Sequence, residues 1–402
     1  MNLRRISLVL LLCIGVDAAW RWQTVQGEAS AAPPGFVSPV TAPASQCAAV
    51  QHLGQARLPM PEGVPAAHAS TLTTLAHPHP LHDRKALLAL WFAGTRESAA
   101  DVGIAYATLD NATQQWDAAR WAVTRAQLQS QLGVAVRRLG NPMVWSDASG
   151  RLHLYVVATG LGGWAASRVV HLREAAPLQF EAQRVLPLRP LGAWFNTSTL
   201  VRALPLPLED GGAVLPMYFE LGIKYGLAVT VGPHGELRDV QRMGTRRDVL
   251  QPTLLAESRT QATALMRDSG PAQQVARSTL EAAAAHWHDA PNLALTNPDS
   301  SLAAVVLPSG EWVVAHNALP EGRRTLWLSR AHGGAGPWTR EPIASAASST
   351  DNGGDERPEY SYPSLLAVPH SDGRTDLWLS YTDQRRAISV AHLQVACRKV
   401  AP

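Results

Sequence analysis

Short apolar runs recur along the chain in pairs, and each pair is separated by a turn that carries glycine, aspartate or serine. The second run of each pair is richer in β-branched and aromatic residues, as in "QPTLLAESRTQATALMRDSG" (251–270). Apolar runs joined by such turns are typical of β-hairpins. The pattern predicts six hairpins, at 68–94, 141–160, 196–220, 251–270, 297–317 and 362–383.

A further strand, a polar turn and an aromatic residue follow several hairpins. Three of these segments end at Trp116, Trp287 and Trp338, and eroded versions end at Phe180 and Leu237. Each unit therefore supplies four strands over roughly 50–70 residues. Such units predict an all-β fold, a six-bladed β-propeller of four-stranded antiparallel blades.

Helical patterns are scarce in this sequence, which is consistent with an all-β fold. Residues 124–133 are the exception, and we expect one short helix there in a connection between blades. The propeller is predicted to span residues 46–402.

The first 45 residues differ in composition from the rest. Arg4 and Arg5 precede an apolar run from Ile6 to Val16 that is too short for a comfortable membrane span. We expect residues 1–22 to be an export signal, or alternatively an uncleaved N-terminal anchor, and the protein to be periplasmic or secreted. Residues 23–45 are rich in Ala, Pro and Ser and predict a linker too poor in apolar side chains to pack.

The charge balance argues against a nucleic-acid partner. The net charge is +3, 17% of residues are charged, and the charges are dispersed without a lysine-rich patch. Of the three cysteines, Cys47 and Cys397 flank the predicted propeller. After export they would either form a disulfide that closes the ring or remain two separate buried thiols.

In a β-hairpin, the first residue of the first strand lies beside the last residue of the second strand, at the end of the hairpin opposite its turn. Because the first strand of each blade is innermost, we expect both positions to face one end of the propeller axis. The predicted strand starts are polar or aromatic in every blade: His68, Asn141, Asn196, Gln251, Asn297 and Tyr362. A purely structural propeller does not require this, so the sequence predicts a functional site there.

This layout resembles the sialidase superfamily, in particular its divergent BNR-repeat-like proteins, over roughly residues 60–395. The turn segments resemble degraded Asp boxes, in which Asp110, Gly333 and several tryptophans survive. The resemblance implies an exo-acting glycoside hydrolase that removes a terminal acidic sugar from glycans. It also implies a carbohydrate partner and no cofactor, and we expect a monomer.

The resemblance assigns roles to individual residues. Sialidases use a tyrosine nucleophile, and "YPSLL" places it at Tyr362; the loop after "WFAG" places the acid/base at Asp101. The arginines that hold a substrate carboxylate correspond to Arg267 in "ALMRDSG" and to Arg323 or Arg324 in "GRRTLWLS".

Two positions depart from the sialidase pattern. His68 stands where the first arginine is expected, and Gln251 stands where a glutamate normally assists the tyrosine. An amide cannot take the tyrosine proton, so we expect Glu220 or Glu359 to serve as the base. The remaining candidate substrate contacts are Glu97, Asn141, Asn196, Asn297 and one of the adjacent pair Arg385 and Arg386, with Arg386 preferred.

The departures leave two other functions open. One is a non-catalytic glycan-binding propeller, and the other is a different hydrolase or a lyase of acidic sugars on the same scaffold. The segment "HPHPLH" (77–82) suggests metal binding, but it lies in a hairpin turn without a cysteine or acidic cluster. We therefore expect no metal site.

Overall fold

The computed structural model describes Leu12 and residues 34–41, 45–160, 162–188, 198–281, 286–346 and 358–399. Within these ranges the chain forms six antiparallel sheets, which are the blades of a six-bladed β-propeller. The predicted fold class is therefore confirmed.

Two N-terminal strands, β1 (Ser45–Cys47) and β2 (Gln51–Arg57), precede the first blade. Blade 1 contains β3 (Ala66–Thr74), β4 (Lys85–Gly94), β5 (Gly103–Asp110) and β6 (Arg120–Val123). Blade 2 contains β7 (Arg138–Ser146), β8 (Leu152–Thr159), β9 (Ser167–Ala176) and β10 (Gln179–Val185). Blade 3 contains β11 (Thr199–Val201), β12 (Leu206–Pro207), β13 (Ala213–Phe219), β14 (Tyr225–Val231) and β15 (Leu237–Arg242).

The second half of the ring repeats this arrangement. Blade 4 contains β16 (Val249–Ala256), β17 (Gln261–Asp268), β18 (Ala276–Glu281) and β19 (Trp287–Ala290). Blade 5 contains β20 (Ala303–Val306), β21 (Glu311–His316), β22 (Thr325–His332) and β23 (Thr339–Ser345). Blade 6 contains β24 (Tyr360–Pro369), β25 (Arg374–Asp383) and β26 (Ala387–Lys399).

The N-terminal strands close the ring by completing blade 6. Both β1 and β2 pair antiparallel with β26, so the first and last strands of the chain share one sheet. Cys47 and Cys397 are directly opposed in this pairing and form a disulfide. The ring-closing bridge is thus confirmed, and the alternative of two separate thiols is wrong.

The core lies between neighbouring blades. Leu88 and Leu90 of β4 pack with Leu154 and Val156 of β8, and all four side chains are buried. A strand buried on both faces needs a nearly continuous apolar sequence, which explains the run "LHLYVVAT" in β8. Burying each such side chain contributes about 1.5–3 kcal/mol, which holds the blades against one another.

The predicted short helix is present as α1 (Arg125–Leu132). Thr124 caps its first turn through a reciprocal hydrogen-bond pair with Gln127, and Gly133 ends it with φ +65°. This capping box and left-handed C-terminal glycine stabilise the ends of an otherwise weakly amphipathic segment.

The segment 34–41 departs from the expectation of an unpacked linker. Phe36 is buried and bridges to Leu208, while the Val37 and Thr41 amides donate to the Pro207 and Pro308 carbonyls. One aromatic side chain and a few backbone hydrogen bonds suffice to attach this stretch to the propeller. Apart from Leu12, the predicted leader lies outside the described residues; within them, no helix is long and apolar enough to cross a membrane.

The innermost strands of several blades contain an irregularity near their start. The register shifts between His68 and Ser70 in β3, between Leu250 and Thr253 in β16, and between Ser361 and Ser364 in β24. These shifts are β-bulges, which re-aim side chains and often lie beside functional sites.

The backbone is left-handed within the bulges, with φ +49° at Ala69, +50° at Gln251 and +51° at Tyr362. We call the end of the axis that holds His68, Gln251 and Tyr362 the polar end. The apolar end is the opposite end, where a cavity of about 390 Å³ is lined by residues that include Leu204, Leu254 and Leu366.

Candidate active site

Tyr362 lies at the centre of the polar end. Its half-buried ring packs against the His68 imidazole, with 4.3 Å between ring centroids. Two guanidinium groups also contact the ring, Arg202 at 5.3 Å and Arg323 at 5.7 Å from the centroid. Residues from three blades therefore converge on the predicted nucleophile.

His68 is buried beneath the polar end and remains neutral. Burial lowers the pKa of its imidazole to about 3, and neither ring nitrogen has a hydrogen-bond partner among the described residues. The ring also makes an edge contact with Phe92, with 5.3 Å between ring centroids. A neutral imidazole with unused nitrogens can hydrogen-bond a ligand but cannot form the bidentate contact of an arginine.

Arg202 connects three blades from within the axis. It is 2% exposed, and it donates from Nη1 to the Ser70 carbonyl at 3.0 Å and from Nη2 to the Pro363 carbonyl at 2.7 Å. Burial lowers the pKa of this guanidinium to about 10, so it is protonated at neutral pH. Its position fixes the backbone immediately after Tyr362 and places a cation beside the phenol ring.

Arg267 takes part in a chain of polar contacts on blade 4. Its Nε donates to Asp299 Oδ1 at 2.6 Å, and its Nη1 donates weakly to Gln251 Oε1 at 3.4 Å. The Gln251 amide in turn faces the Tyr218 hydroxyl at 3.4 Å. Gln251, where a glutamate was expected, thus contacts the site without offering a base.

Glu359 joins two arginines on blades 5 and 6. Arg323 Nη1 donates to it at 3.3 Å, Arg385 Nε at 2.7 Å and the Ser361 hydroxyl at 2.5 Å. Burial alone would raise the pKa of this carboxyl, but the hydrogen bonds from Arg385 and Ser361 outweigh it and hold the pKa at about 2. Arg385 Nη1 also donates to Glu97 at 2.7 Å, which brings blade 1 into the network.

Two further carboxyl groups have opposite environments. Glu220, just after β13, is half-buried, and its burial raises the pKa despite the nearby Arg267 charge. Asp101 is exposed and accepts hydrogen bonds from the Thr95 hydroxyl at 2.5 Å and amide at 2.8 Å, which lower its pKa. Glu220 therefore keeps its proton to higher pH, whereas Asp101 is a carboxylate.

The structure brings many of the predicted residues together at the polar end. Contacts join the following of them into one network, in which Asp299 connects Arg267 to Arg323: Tyr362, His68, Gln251, Arg267, Arg323, Glu359 and Glu97. Electrostatic coupling to Arg267 also places Glu220 nearby. The side chain of Asp101 is hydrogen-bonded within its own loop, between β4 and β5.

Other predicted residues are used differently. Asn297 is fully buried, and its side-chain amide bonds the Ser300 backbone at 2.9 and 3.2 Å, so it shapes a loop instead of facing the polar end. Asn141 donates to the Val201 carbonyl at 3.1 Å. Arg324 is exposed beside the paired Arg323, and Asn196 lies outside the described residues.

Sequence reasoning missed three residues of the site: Arg202, Tyr218 and Asp299. It left open whether Arg385 or Arg386 reaches the site, and Arg385 is the one that pairs with Glu359. Asp299 follows the predicted Asn297 by two positions, so a shift of two residues would have found it. Arg202 follows β11 in a stretch of apolar residues and prolines, and no repeat position marks it.

Within the part of the chain that the structure describes, three of the four arginines around Tyr362 are paired with carboxylates. Arg267 is paired with Asp299, Arg323 with Glu359, and Arg385 with Glu359 and Glu97. Arg202 instead donates to backbone carbonyls. Among the described residues, no group of three or more His, Cys, Asp or Glu side chains is placed to hold a metal ion.

A sequence comparison identifies one family. The sequence profile of the BNR repeat-like domain matches residues 85–376, which is well over half of the chain. No curated protein sequence matches.

Solved structures share the fold at low sequence identity. A Hadza microbial sialidase superposes with a TM-score of 0.61 at 14% identity, covering 83% of this chain and 66% of that protein. A mutant NanB sialidase from Streptococcus pneumoniae gives 0.60 at 9% identity, with 85% and 70% coverage. The Penicillium chrysogenum α-L-arabinanase bound to arabinobiose gives 0.60 at 13% identity, with 85% and 98% coverage. The chain thus spans about two thirds of the length of the two sialidases.

Proposed function

We propose, from the premise that the chain belongs to the family of BNR repeat-like domains, that it is an exo-acting glycoside hydrolase. The neighbouring structures, two sialidases and an arabinanase, indicate a carbohydrate ligand. The observation that carries the proposal is the position of Tyr362, whose ring is in contact with His68, Arg202 and Arg323 at the polar end.

In the proposed reaction the Tyr362 hydroxyl gives its proton to a carboxylate base, for which the ionised Glu359 is the candidate, and the Tyr362 oxygen attacks the anomeric carbon of a terminal sugar. The bond between that carbon and the aglycone oxygen breaks, and a carboxylic acid protonates the departing oxygen. Water then cleaves the tyrosyl–sugar bond and releases the sugar. A tyrosine nucleophile suits an anomeric carbon that carries a carboxylate, because a carboxylate nucleophile would be repelled by the substrate's own charge.

The proposed substrate is therefore a terminal acidic sugar. Arg267 and Arg323 are the candidates to hold its carboxylate, because both contact Asp299 and so lie side by side. Guanidinium groups recognise carboxylates through charge-assisted hydrogen bonds, which favours these two residues over the neutral His68.

Two residues compete for the role of general acid. Asp101 is the acid that the family resemblance implies, but the Thr95 hydrogen bonds favour its ionised form. Glu220 lies in an environment that favours its protonated form. A general acid must carry a proton at the working pH and give it to the departing oxygen. Asp101→Asn and Glu220→Gln each remove one candidate proton donor, so the variant that loses activity identifies the acid.

The test is turnover of a panel of fluorogenic glycosides, half of them acidic, by the wild type and Tyr362→Phe. We expect hydrolysis by the wild type and a loss of about 10³-fold or more in Tyr362→Phe, because the nucleophile is removed. Tyr360→Phe is the matched control, since this residue lies two positions away and its ring packs on Tyr381 instead. Full activity of Tyr362→Phe would exclude the proposed nucleophile.

A non-catalytic glycan-binding propeller is the second candidate. Gln251 favours this candidate, because an amide cannot take the proton of Tyr362. In addition, among the described residues no carboxylate is hydrogen-bonded to the Tyr362 hydroxyl. Absence of turnover across the panel, combined with sugar binding that depends on Tyr362, would support this candidate over the hydrolase.

We also propose that the protein acts after export. The apolar leader supports this, and the Cys47–Cys397 disulfide suits an oxidising compartment. The leader sequence leaves both release into the periplasm or medium and retention by an N-terminal anchor open.

A further inference from the structure

Asp299 contacts both arginines that are candidates to hold a substrate carboxylate. Its side-chain Oδ1 accepts from Arg267 Nε at 2.6 Å, and its backbone carbonyl accepts from Arg323 Nη2 at 3.2 Å. A single residue of the chain thus supplies oxygen acceptors to two guanidinium groups from neighbouring blades. A ligand carboxylate would use the same donors.

The burial of the partners shows that Asp299 lies on the solvent side of this arrangement. Its side chain is 50% exposed, whereas the Arg267 side chain is 13% exposed. An incoming ligand would therefore meet the aspartate before it reached the guanidinium. Arg323 additionally pairs with Glu359, so neither arginine presents an uncompensated charge.

The backbone at Asp299 is unusual as well. Its φ is +49°, in the left-handed region that asparagine, aspartate and glycine adopt more readily than other residues. The strained conformation brings the carbonyl and the side chain toward the two arginines together. Such strain is common where the surrounding structure holds a residue in place for function.

We propose that Asp299 determines the ligand specificity of the polar end, because its carboxylate competes with a ligand carboxylate for Arg267, beside the Arg323 guanidinium that its backbone carbonyl holds in place. This inference rests on the proposed sugar-binding function and deepens it. In the wild type, an acidic sugar must displace the Asp299 carboxylate from Arg267, so its own carboxylate contributes less to the affinity than it would without Asp299. Without the Asp299 charge, the preference of the same site for acidic ligands increases.

The chain offers variants that isolate this effect. Asp299→Asn removes the charge and keeps the shape, and Asp299→Gly removes the side chain; both residues tolerate the positive φ. Because half of the Asp299 side chain is exposed to solvent, its replacement is expected to cost little stability, and both variants are expected to fold. Asp372→Asn is the matched control, since Asp372 is also 50% exposed and pairs with Arg374 at 2.7 Å, in the turn after β24.

The measurement is calorimetric titration with N-acetylneuraminic acid and with its methyl ester, which differ only in the carboxylate. We expect wild type and Asp372→Asn to bind the acid at most about threefold more tightly than the ester. In Asp299→Asn and Asp299→Gly, the affinity for the acid should rise about tenfold or more, while that for the ester changes by less than about twofold.

Two results would overturn the inference in distinguishable ways. If acid and ester bind every variant with unchanged affinities, Asp299 does not set specificity, and the sugar site stands. If neither ligand binds any variant, the proposed acidic-sugar function fails together with the inference.

Discussion

The two ends of the central channel are built from the same innermost strands but differ in chemistry. In β24, Tyr362 lies at the polar end, whereas Leu366 lines the cavity at the apolar end. In β16, Gln251 contacts Arg267, and Leu254 lines the cavity three residues later. Along one strand, only three or four residues therefore separate a side chain at the polar end from one that lines the apolar cavity.

The backbone explains how the difference arises. The strand starts contain bulges and left-handed residues, each of which costs on the order of 1–3 kcal/mol when it is not glycine. Beyond the bulge the strands pair regularly and carry apolar side chains. The regular part stabilises the ring, and the irregular part presents polar groups at its axis.

The largest loss of stability and turnover is expected when Arg202 is replaced, because this residue lies between the polar end and the apolar end. Arg202→Met keeps much of the volume but leaves the Ser70 and Pro363 carbonyls without their donor. We expect a loss of about 3 kcal/mol in unfolding free energy, because buried acceptors become unsatisfied, and a large loss of turnover. Urea denaturation and kinetics measure the two effects.

The matched control for Arg202 is Arg374→Met, since Arg374 is 52% exposed and pairs with Asp372. It should change neither stability nor turnover. A variant at Arg202 that unfolds at the same urea concentration as the wild type would contradict the idea that this arginine joins the blades.

A smaller effect, limited to stability, is expected at the apolar end. Leu365 is 2% exposed, packs in the core between blades 5 and 6 and borders the cavity. Leu365→Ala should reduce the unfolding free energy by about 2–3 kcal/mol, since it leaves a cavity in the core. The KM for a hydrolysed glycoside should stay unchanged, and a rise in KM would show that the two ends are not independent.

The fold was predictable because the hairpin pattern is repeated along the sequence. Six apolar hairpins with similar turns left little choice of architecture, and two of the predicted strand starts, His68 and Tyr362, are in ring contact. The position of two cysteines at the ends of a closed ring left a disulfide and two separate thiols as alternatives, and the structure shows the disulfide.

The rest of the site depends on details that the repeat does not carry. In blade 5 the inner strand begins only at Ala303, because Asn297 folds the preceding loop onto Ser300. This shift presents Asp299, and not Asn297, to the polar end. Arg202 was missed because a buried arginine bonded to carbonyls of two other blades has no local sequence signature.

The most direct test of the account is the location of a bound sugar. A crystal structure with N-acetylneuraminic acid should show the sugar at the polar end, over the Tyr362 ring and within hydrogen-bond distance of Arg267 or Arg323. Sugar bound only in the apolar cavity beside Leu254 and Leu366, or on the outer faces of the blades, would contradict the account.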